Sequence, residues 1–299
     1  MQNVKQFLID NNYDFKEDIS FKVLTTYKTG GTAKYVVFPN DVEHLKRLLD
    51  YLKLKNIPFK IFGNGSNILA SDNDYDGVII KLNKLNNQNF DDGNLYVEAG
   101  CNMIQVANKY SKMGYYGLDF ACGIPGTLGG AIYMNAGAYL EAIGDSLQEV
   151  TYLDEGNNVE TIKKEDMKLG YRTSIFKEKP WVILSAKLVL KKGNKEEIID
   201  LLSDRMRRRA STQPLEYPSA GSVFRNPEKM YAGALIENCG LKGKKRGDAQ
   251  ISDKHANFIV NKDQAKSKDI KYLMDLAKNK VKKQYKIDLL IEQELFNWE

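Results

Sequence analysis

The stretch Gly123-Ile-Pro-Gly-Thr-Leu-Gly-Gly-Ala-Ile-Tyr-Met-Asn-Ala-Gly137 narrows the architectures open to this chain more than any other. It holds five glycines and one proline in fifteen residues, where average usage gives about one glycine. Glycine tolerates left-handed dihedrals and lets backbone approach a ligand closely, so this density points to a cradle of N–H groups around phosphate. Pro125 interrupts the run and no Gly-Lys-Ser/Thr follows, so the usual phosphate loop is excluded. Gly-x-Gly-x-x-Gly does not fit either. A glycine-rich surface turn is the plainer alternative for the run on its own.

A chain of 299 residues, 42% hydrophobic and 28% charged, can bury a substantial core in two or three domains. Its 44 Lys and Arg against 39 Asp and Glu leave a mild +5, which suits anionic small ligands as readily as nucleic acid. Cys101, Cys122 and Cys239 are odd in number and widely spaced, which fits a reduced cytosolic setting better than a disulfide scaffold. Cys122 beside the glycine run reads as packing rather than as a redox thiol. Residues 1–12 lack the pattern of a signal peptide, and no stretch approaches a membrane span. A cytoplasmic, soluble protein is expected.

Apolar spacing predicts a helix over Asp41–Asn56, with Asn40 or Asp41 as its cap, between strands Lys34–Phe38 and Pro58–Phe62. That is a βαβ pattern, and its second strand runs into the tight turn Gly63-Asn-Gly-Ser-Asn67. A second unit reads as strands Val78–Leu82 and Leu95–Glu98 and a helix Met103–Met113 stopped by Gly114. From Leu147 the pattern turns to β, with strands Leu147–Leu153, Val159–Ile162 and Trp181–Leu190. Lys191-Lys-Gly-Asn194 marks a boundary. Asn194 and Glu197 then open a helix that closes in Arg205-Met-Arg-Arg-Arg209, where cations suit a solvated helix end. A helix over Lys268–Lys283 and a strand over Ile287–Trp298 finish the chain.

Only two histidines occur, His44 on a helix surface and His255, so a catalytic zinc site is not expected. No serine lies in a Gly-x-Ser-x-Gly elbow. Three features remain: Arg172 in the polar turn Gly170–Ser174, Ser222 ahead of the bulky Val223 and Phe224, and a terminal pair of glutamates. Strand alternation would put Glu292 and Glu294 on one side. Singly, each has an ordinary explanation: an ion-pairing arginine, a turn serine and solvent-facing carboxylates.

Taken in order along the chain, the set resembles one family. Asn64-Gly-Ser-Asn67, Gly123–Gly130, Met134-Asn-Ala-Gly137, Gly170-Tyr-Arg172, Gly221-Ser-Val-Phe-Arg-Asn-Pro227, Leu235–Gly243 and Ala249–Phe258 are similar to the motifs of the UDP-N-acetylenolpyruvoylglucosamine reductase (MurB) family. The glycine motifs are shared across a wider flavoprotein superfamily, whereas Arg172, Ser222 and a terminal glutamate are more specific. The resemblance implies an α+β architecture. FAD-binding subdomains of the vanillyl-alcohol-oxidase/PCMH type would span 1–84 and 85–193, with a C-terminal α+β substrate-binding domain over 194–299. It implies noncovalent FAD held near Tyr27, Gly30, Gly31, Gly63, Asn64, Gly65, Ser66, Asn67, Gly123, Ile124, Pro125, Gly126, Thr127, Gly129, Gly130, Asn135 and Gly137. Asn226, Gln250, Ser252, His255 and Asn257 become candidates for the UDP-sugar. Leu140 departs from the pattern, standing where the family often has glycine. The short interval between Arg172 and Ser222 resembles the family type without a tyrosine-bearing insertion.

The implied reaction is reduction of UDP-N-acetylglucosamine enolpyruvate by NADPH in peptidoglycan precursor synthesis, hence cell-wall biogenesis, cell shape and division. Arg172 would stabilise charge on the substrate carboxylate and Ser222 would donate a proton. Glu292, on a gapless reading, would assist; Glu294 is the alternative. A monomer that engages neither nucleic acid nor membrane, with no metal, is expected. Two rivals stand beside this reading: an FAD oxidase of the same superfamily acting on another substrate, and a basic nucleotide- or RNA-binding module, which would use Arg205–Arg209 but leave both glycine turns idle.

Overall fold

Leu45, Leu48, Leu49 and Leu52 recur at helical spacing, and all four are buried in helix Val42–Leu54 of the computed structural model, which describes residues 2–298. The Asp41 carboxylate caps this helix by accepting the His44 N–H at 2.7 Å. Strands Thr32–Phe38 and Phe59–Phe62 flank it as the βαβ pattern requires. They are not neighbours, however. Tyr75–Lys81 lies between them, in a sheet ordered Asp14–Ser20, Thr32–Phe38, Tyr75–Lys81, Phe59–Phe62. The unbroken apolar run Val78-Ile-Ile80, buried throughout, suits that inner place, since a strand covered on both faces cannot alternate.

Val78–Leu82 and Leu95–Glu98, grouped by the sequence in one unit, therefore belong to different sheets. Asn94–Glu98 sits in a five-stranded sheet ordered Val159–Lys163, Leu147–Leu153, Val182–Val189, Asn94–Glu98, Gln88–Asp91, antiparallel at every pairing. Helix Met103–Lys112 begins at Asn102, whose side chain accepts the Gln105 N–H at 3.1 Å, and it stops before Gly114 at φ +93°.

Two compact units emerge, each around its own apolar core: residues 1–17, 35–64 and 76–207, and residues 18–34, 65–75 and 208–299. They interleave along the chain, where the sequence suggested cuts in linear order. In the second unit, helix Ser267–Tyr285 buries Ile270, Leu273, Met274, Ala277 and Val281 beside an antiparallel sheet of Lys245–Arg246, Ala249–Ile251 and Ile259–Asn261. Ile68–Ala70 pairs in parallel with Glu294–Phe296. The terminal strand thus shrinks to three residues, with Ile291 as an isolated bridge to Phe224 and a bend at Gln293. Regular alternation does not extend back to Glu292, so it cannot place the two glutamates on one side.

Helix Lys195–Thr212 starts as expected, the Asn194 side chain accepting the Glu196 N–H at 2.9 Å. Its arginine-rich end is not simply solvated. Arg205 is buried and reaches Asp119 and Glu141, both at 2.5 Å. Neither acid is near it in sequence, so the pairing had no local signal. His44, expected at an ordinary surface position, instead stacks on Tyr13 with ring centroids 3.8 Å apart. Its Nδ1 takes the Asn40 N–H and its Nε2 donates to the Asn11 carbonyl. Among the described residues no helix is long and apolar enough to cross a membrane.

Candidate functional site

The glycine run is not a surface turn. Leu128, Ala131 and Ile132 are buried in a short helix, Leu128–Tyr133, and Thr127 caps it through the Gly130 N–H at 3.3 Å. Much of the run's backbone is already committed. Ile124 donates to Ala121, Leu128 to Cys101, Gly129 to Ala99 and Ala131 to Thr127, all carbonyl acceptors at 2.9–3.0 Å. Among the described residues no acceptor takes the N–H of Gly123, Gly126 or Thr127. These three donors are what the run offers to an anion. A Cβ on Gly63 would stand 2.7 Å from Thr127 Oγ1, so the Gly63 turn and the glycine run meet. Beneath that junction Lys81 Nζ donates to the Gly63 carbonyl at 2.8 Å, and burial lowers the pKa of its ammonium. Fixed N–H donors beside a lysine suit a pyrophosphate. Sequence reasoning missed Lys81; its only signal was a lone cation within the apolar stretch Val78–Leu82.

Other glycines of the set do packing work. Gly129 faces Ala99, where a Cβ would come within 3.1 Å of that side chain. Gly137 lies 2.3 Å, Cβ to oxygen, from the Glu141 carbonyl in a small hairpin. In the second unit, a Cβ on Gly65 (φ +64°) would fall 2.2 Å from the Leu24 carbonyl oxygen, and one on Gly31 2.5 Å from that of Asn73. Gly30 (φ +112°) likewise abuts Phe21. These close approaches bring segment 65–75 against 21–31.

Arg172 occupies a two-residue turn closed by paired bonds between Gly170 and Thr173, at 3.1 and 3.3 Å. Its φ of +58° costs an ordinary L-residue about 1–2 kcal/mol. Its Nη2 donates to the Gly137 carbonyl at 2.7 Å, and its guanidinium lies 5.1 Å from the Tyr171 ring centre. Asn135 ties this turn to the glycine run, donating to the Gly170 carbonyl at 2.9 Å and accepting the Gly144 N–H at 3.1 Å. Ser174 Oγ adds a bond to the Tyr133 carbonyl at 2.7 Å. The amide of Asn135, named as a cofactor contact, is therefore engaged in holding the arginine turn.

In the second unit Ser222 follows Gly221 at φ +73°. Its hydroxyl is half-buried and has no protein partner among the described residues. The chain after it is pinned. Val223 donates to the Asn257 carbonyl at 2.8 Å, and the Asn257 side chain bonds both the N–H and the carbonyl of Phe224. Glu292 N–H donates to the Val223 carbonyl and Arg225 N–H to that of Leu290. Asn67 Nδ2 donates to the Glu292 carbonyl at 3.1 Å, while Glu294 N–H donates to the Asn67 carbonyl. Glu292 thus has its backbone on the Ser222 segment, and Glu294 has its own on the Asn67 turn.

The expected UDP-sugar contacts are mostly engaged locally. Both ends of the Asn257 amide hold Phe224; Asn226 Oδ1 accepts the Ala232 N–H at 3.0 Å. Gln250 donates to Asp253 at 2.8 Å, and Ser252 Oγ accepts from Lys254 and His255. His255 Nδ1 accepts the Asn257 N–H at 3.2 Å, and burial lowers its pKa below the ordinary 6.5. A folded-state pKa below the unfolded one means stability is fully present above about pH 6.5 and is lost as pH falls through the folded value. Replacing His255 with Gln should therefore flatten the fall in unfolding free energy between pH 7 and pH 5. Urea titrations giving the same pH slope for both proteins would refute this.

Comparison with known proteins places this geometry. Residues 213–296 match the family model described as UDP-N-acetylenolpyruvoylglucosamine reductase, C-terminal domain, and residues 33–162 match an FAD binding domain. The protein of that reductase name from Clostridium novyi is 41% identical over 290 residues, covering 97% of this chain and 94% of its own. Its counterpart from Petrotoga mobilis is 40% identical, with 99% of each chain covered. The crystal structure of the Thermus caldophilus reductase superposes with a TM-score of 0.81 at 32% identity, covering 95% of this chain and 99% of that one. A berberine bridge enzyme structure, 12% identical with a TM-score of 0.50 over 65% of this chain and 44% of its own, shares the fold alone.

Proposed function

This chain belongs to the UDP-N-acetylenolpyruvoylglucosamine reductase family, and on that premise we propose that Arg172, Ser222 and Glu292 carry its chemistry. The protein is an FAD-dependent oxidoreductase of peptidoglycan precursor synthesis, converting UDP-N-acetylglucosamine enolpyruvate to UDP-N-acetylmuramate at the expense of NADPH. Its residues suit the cofactor: the N–H groups of Gly123, Gly126 and Thr127, the Gly63–Asn64 turn and Lys81 would hold the pyrophosphate. FAD, when bound, supplies the two-electron chemistry by which a hydride passes from NADPH to the enolpyruvyl double bond.

The protein's own groups deal with the charge and the proton. Hydride addition at the vinyl methylene leaves carbanion character on the carbon beside the carboxylate, delocalised into its oxygens. Arg172 is permanently charged and can bind two carboxylate oxygens at once, so it stabilises that charge. Glu292 would assist at the same group. Ser222 delivers the proton that completes the lactyl ether; so weak an acid works only against so basic a carbon. The single observation that carries this assignment is the half-buried Ser222 residue, its hydroxyl without a protein partner among the described residues, on a segment pinned at Val223, Phe224 and Arg225. The backbone bond between Glu292 and Val223 supports Glu292 over Glu294. We take the enzyme to be a cytoplasmic monomer that engages neither nucleic acid nor membrane.

A visible spectrum followed by anaerobic titration tests the reading. The purified protein should be yellow, bleach with NADPH and recolour with the enolpyruvyl substrate without oxygen. Recolouring only on admission of oxygen would instead favour an oxidase.

A further inference from the structure

The residues after Ser222 are held by Asn257 and the 290–292 segment; just before it, Ala220 is buried and the carbonyls of Ala220 and Gly221 are both taken by one side chain. Gln293 is buried, and its Nε2 donates to the carbonyls of Ala220 at 3.0 Å and Gly221 at 3.2 Å. Its Oε1 accepts from the hydroxyl of Tyr27 at 3.1 Å. Tyr27 is fully buried, and its own carbonyl accepts from Asn261 Nδ2 at 3.0 Å. Every hydrogen-bonding site this arrangement asks of the Gln293 amide is filled, two donors and one acceptor, so its orientation is fixed. Gly221 at φ +73° has open space where a Cβ would be. No side chain packs at Gly221 itself, and the Gln293 amide bonds the carbonyls on both sides of its N–H.

We infer that Gln293, set by the Tyr27 hydroxyl, is the positioning residue for the Ser222 hydroxyl. It touches neither substrate nor cofactor in this role; it fixes where the proton donor stands. The inference rests on Ser222 being that donor. Burial raises the pKa of the Tyr27 phenol, so it stays a neutral donor to Gln293 over the working range of the enzyme. A misplacement of about 1 Å in a reacting group can cost about a hundredfold in rate, and the loosened joint lies one residue from Ser222.

The test follows the two half-reactions of the holoenzyme separately in a stopped-flow spectrometer. Gln293→Met keeps the side-chain length and removes all three bonds; Tyr27→Phe removes only one and is the milder check should the first variant fold poorly. Flavin bleaching by NADPH should be unchanged in Gln293→Met. Reoxidation by the enolpyruvyl substrate should slow about 10- to 100-fold in Gln293→Met and a few-fold in Tyr27→Phe, with a larger solvent deuterium effect as proton delivery becomes limiting. In a Ser222→Ala background neither substitution should slow reoxidation further, since the residue they position is gone. Equal losses in both half-reactions, or a loss that persists in that background, would overturn the inference. Normal turnover by Ser222→Ala alone would overturn the donor assignment on which it rests, a result distinct from either.

Discussion

Replacing Ser222 with Ala should leave bleaching of the bound flavin by NADPH at its normal rate while slowing its reoxidation by the enolpyruvyl substrate about a hundredfold to ten-thousandfold. That range is what one positioned proton donor typically contributes. The asymmetry follows from chemistry, because NADPH oxidation gives up a hydride and needs no proton at the carbon Ser222 serves. The structure makes the substitution a clean one. The Ser222 hydroxyl bonds no protein group among the described residues, and the fixings of this segment are backbone or belong to Asn257 and Gln293. Removing one oxygen thus breaks nothing else. Stopped-flow traces of both half-reactions decide the matter, and equal slowing of the two would remove Ser222 from the proton-donor role.

Arg205→Met should be the most destabilising single change outside the cores. Its guanidinium pairs with Asp119, a carboxylate only 2% exposed, and with Glu141, while lying 4.8 Å from the Tyr139 ring centre. The Tyr139 hydroxyl donates back to the Arg205 carbonyl at 2.9 Å. Losing the cation strands the Asp119 charge in the interior, where breaking one side of a buried pair costs about 3–5 kcal/mol. For a unit of this size that is a fall in Tm of about 6–20 °C. Arg205→Met combined with Asp119→Asn should recover part of the loss, because the stranded charge is gone. Thermal unfolding of the three proteins measures this; a single variant within about 1 kcal/mol of the parent would show that the pair contributes little. Activity should suffer too. Glu141 belongs to the hairpin whose Gly137 carbonyl accepts from Arg172, so the ion pair steadies the anchor of the arginine proposed to bind the substrate carboxylate.

What the sequence made legible were the parts that repeat or sit together. Helix Val42–Leu54 showed in its leucine spacing, helix Met103–Lys112 in its cap and terminal glycine, and the Leu147–Val189 strands in their apolar runs. The glycine run announced a backbone cradle, though much of its backbone is bonded within the protein and several of its glycines serve close packing. What stayed hidden was long-range pairing. Nothing local to Tyr75–Lys81 says that it slots between two strands that precede it. Nothing around Arg205 points to Asp119, and nothing around Asn257 points to Phe224. Such partners are chosen by the folded chain. Gln293 is the sharpest case: flanked by two acids that drew the functional reading, it proved to be the residue gripping the backbone just before Ser222.

The parallel pairing of Ile68–Ala70 with Glu294–Phe296 also sets a timetable. A ribosome adding about 5–20 residues per second needs roughly 10 to 45 s to travel from the first of these strands to the second. Throughout that interval the earlier strand emerges with its edge unclaimed, in the state that invites mispairing with other chains. The unit built from residues 18–34, 65–75 and 208–299 cannot close until strand Glu294–Phe296 has been made. The segment bearing Tyr27 and the Asn67 turn is made long before the strand that holds it in place.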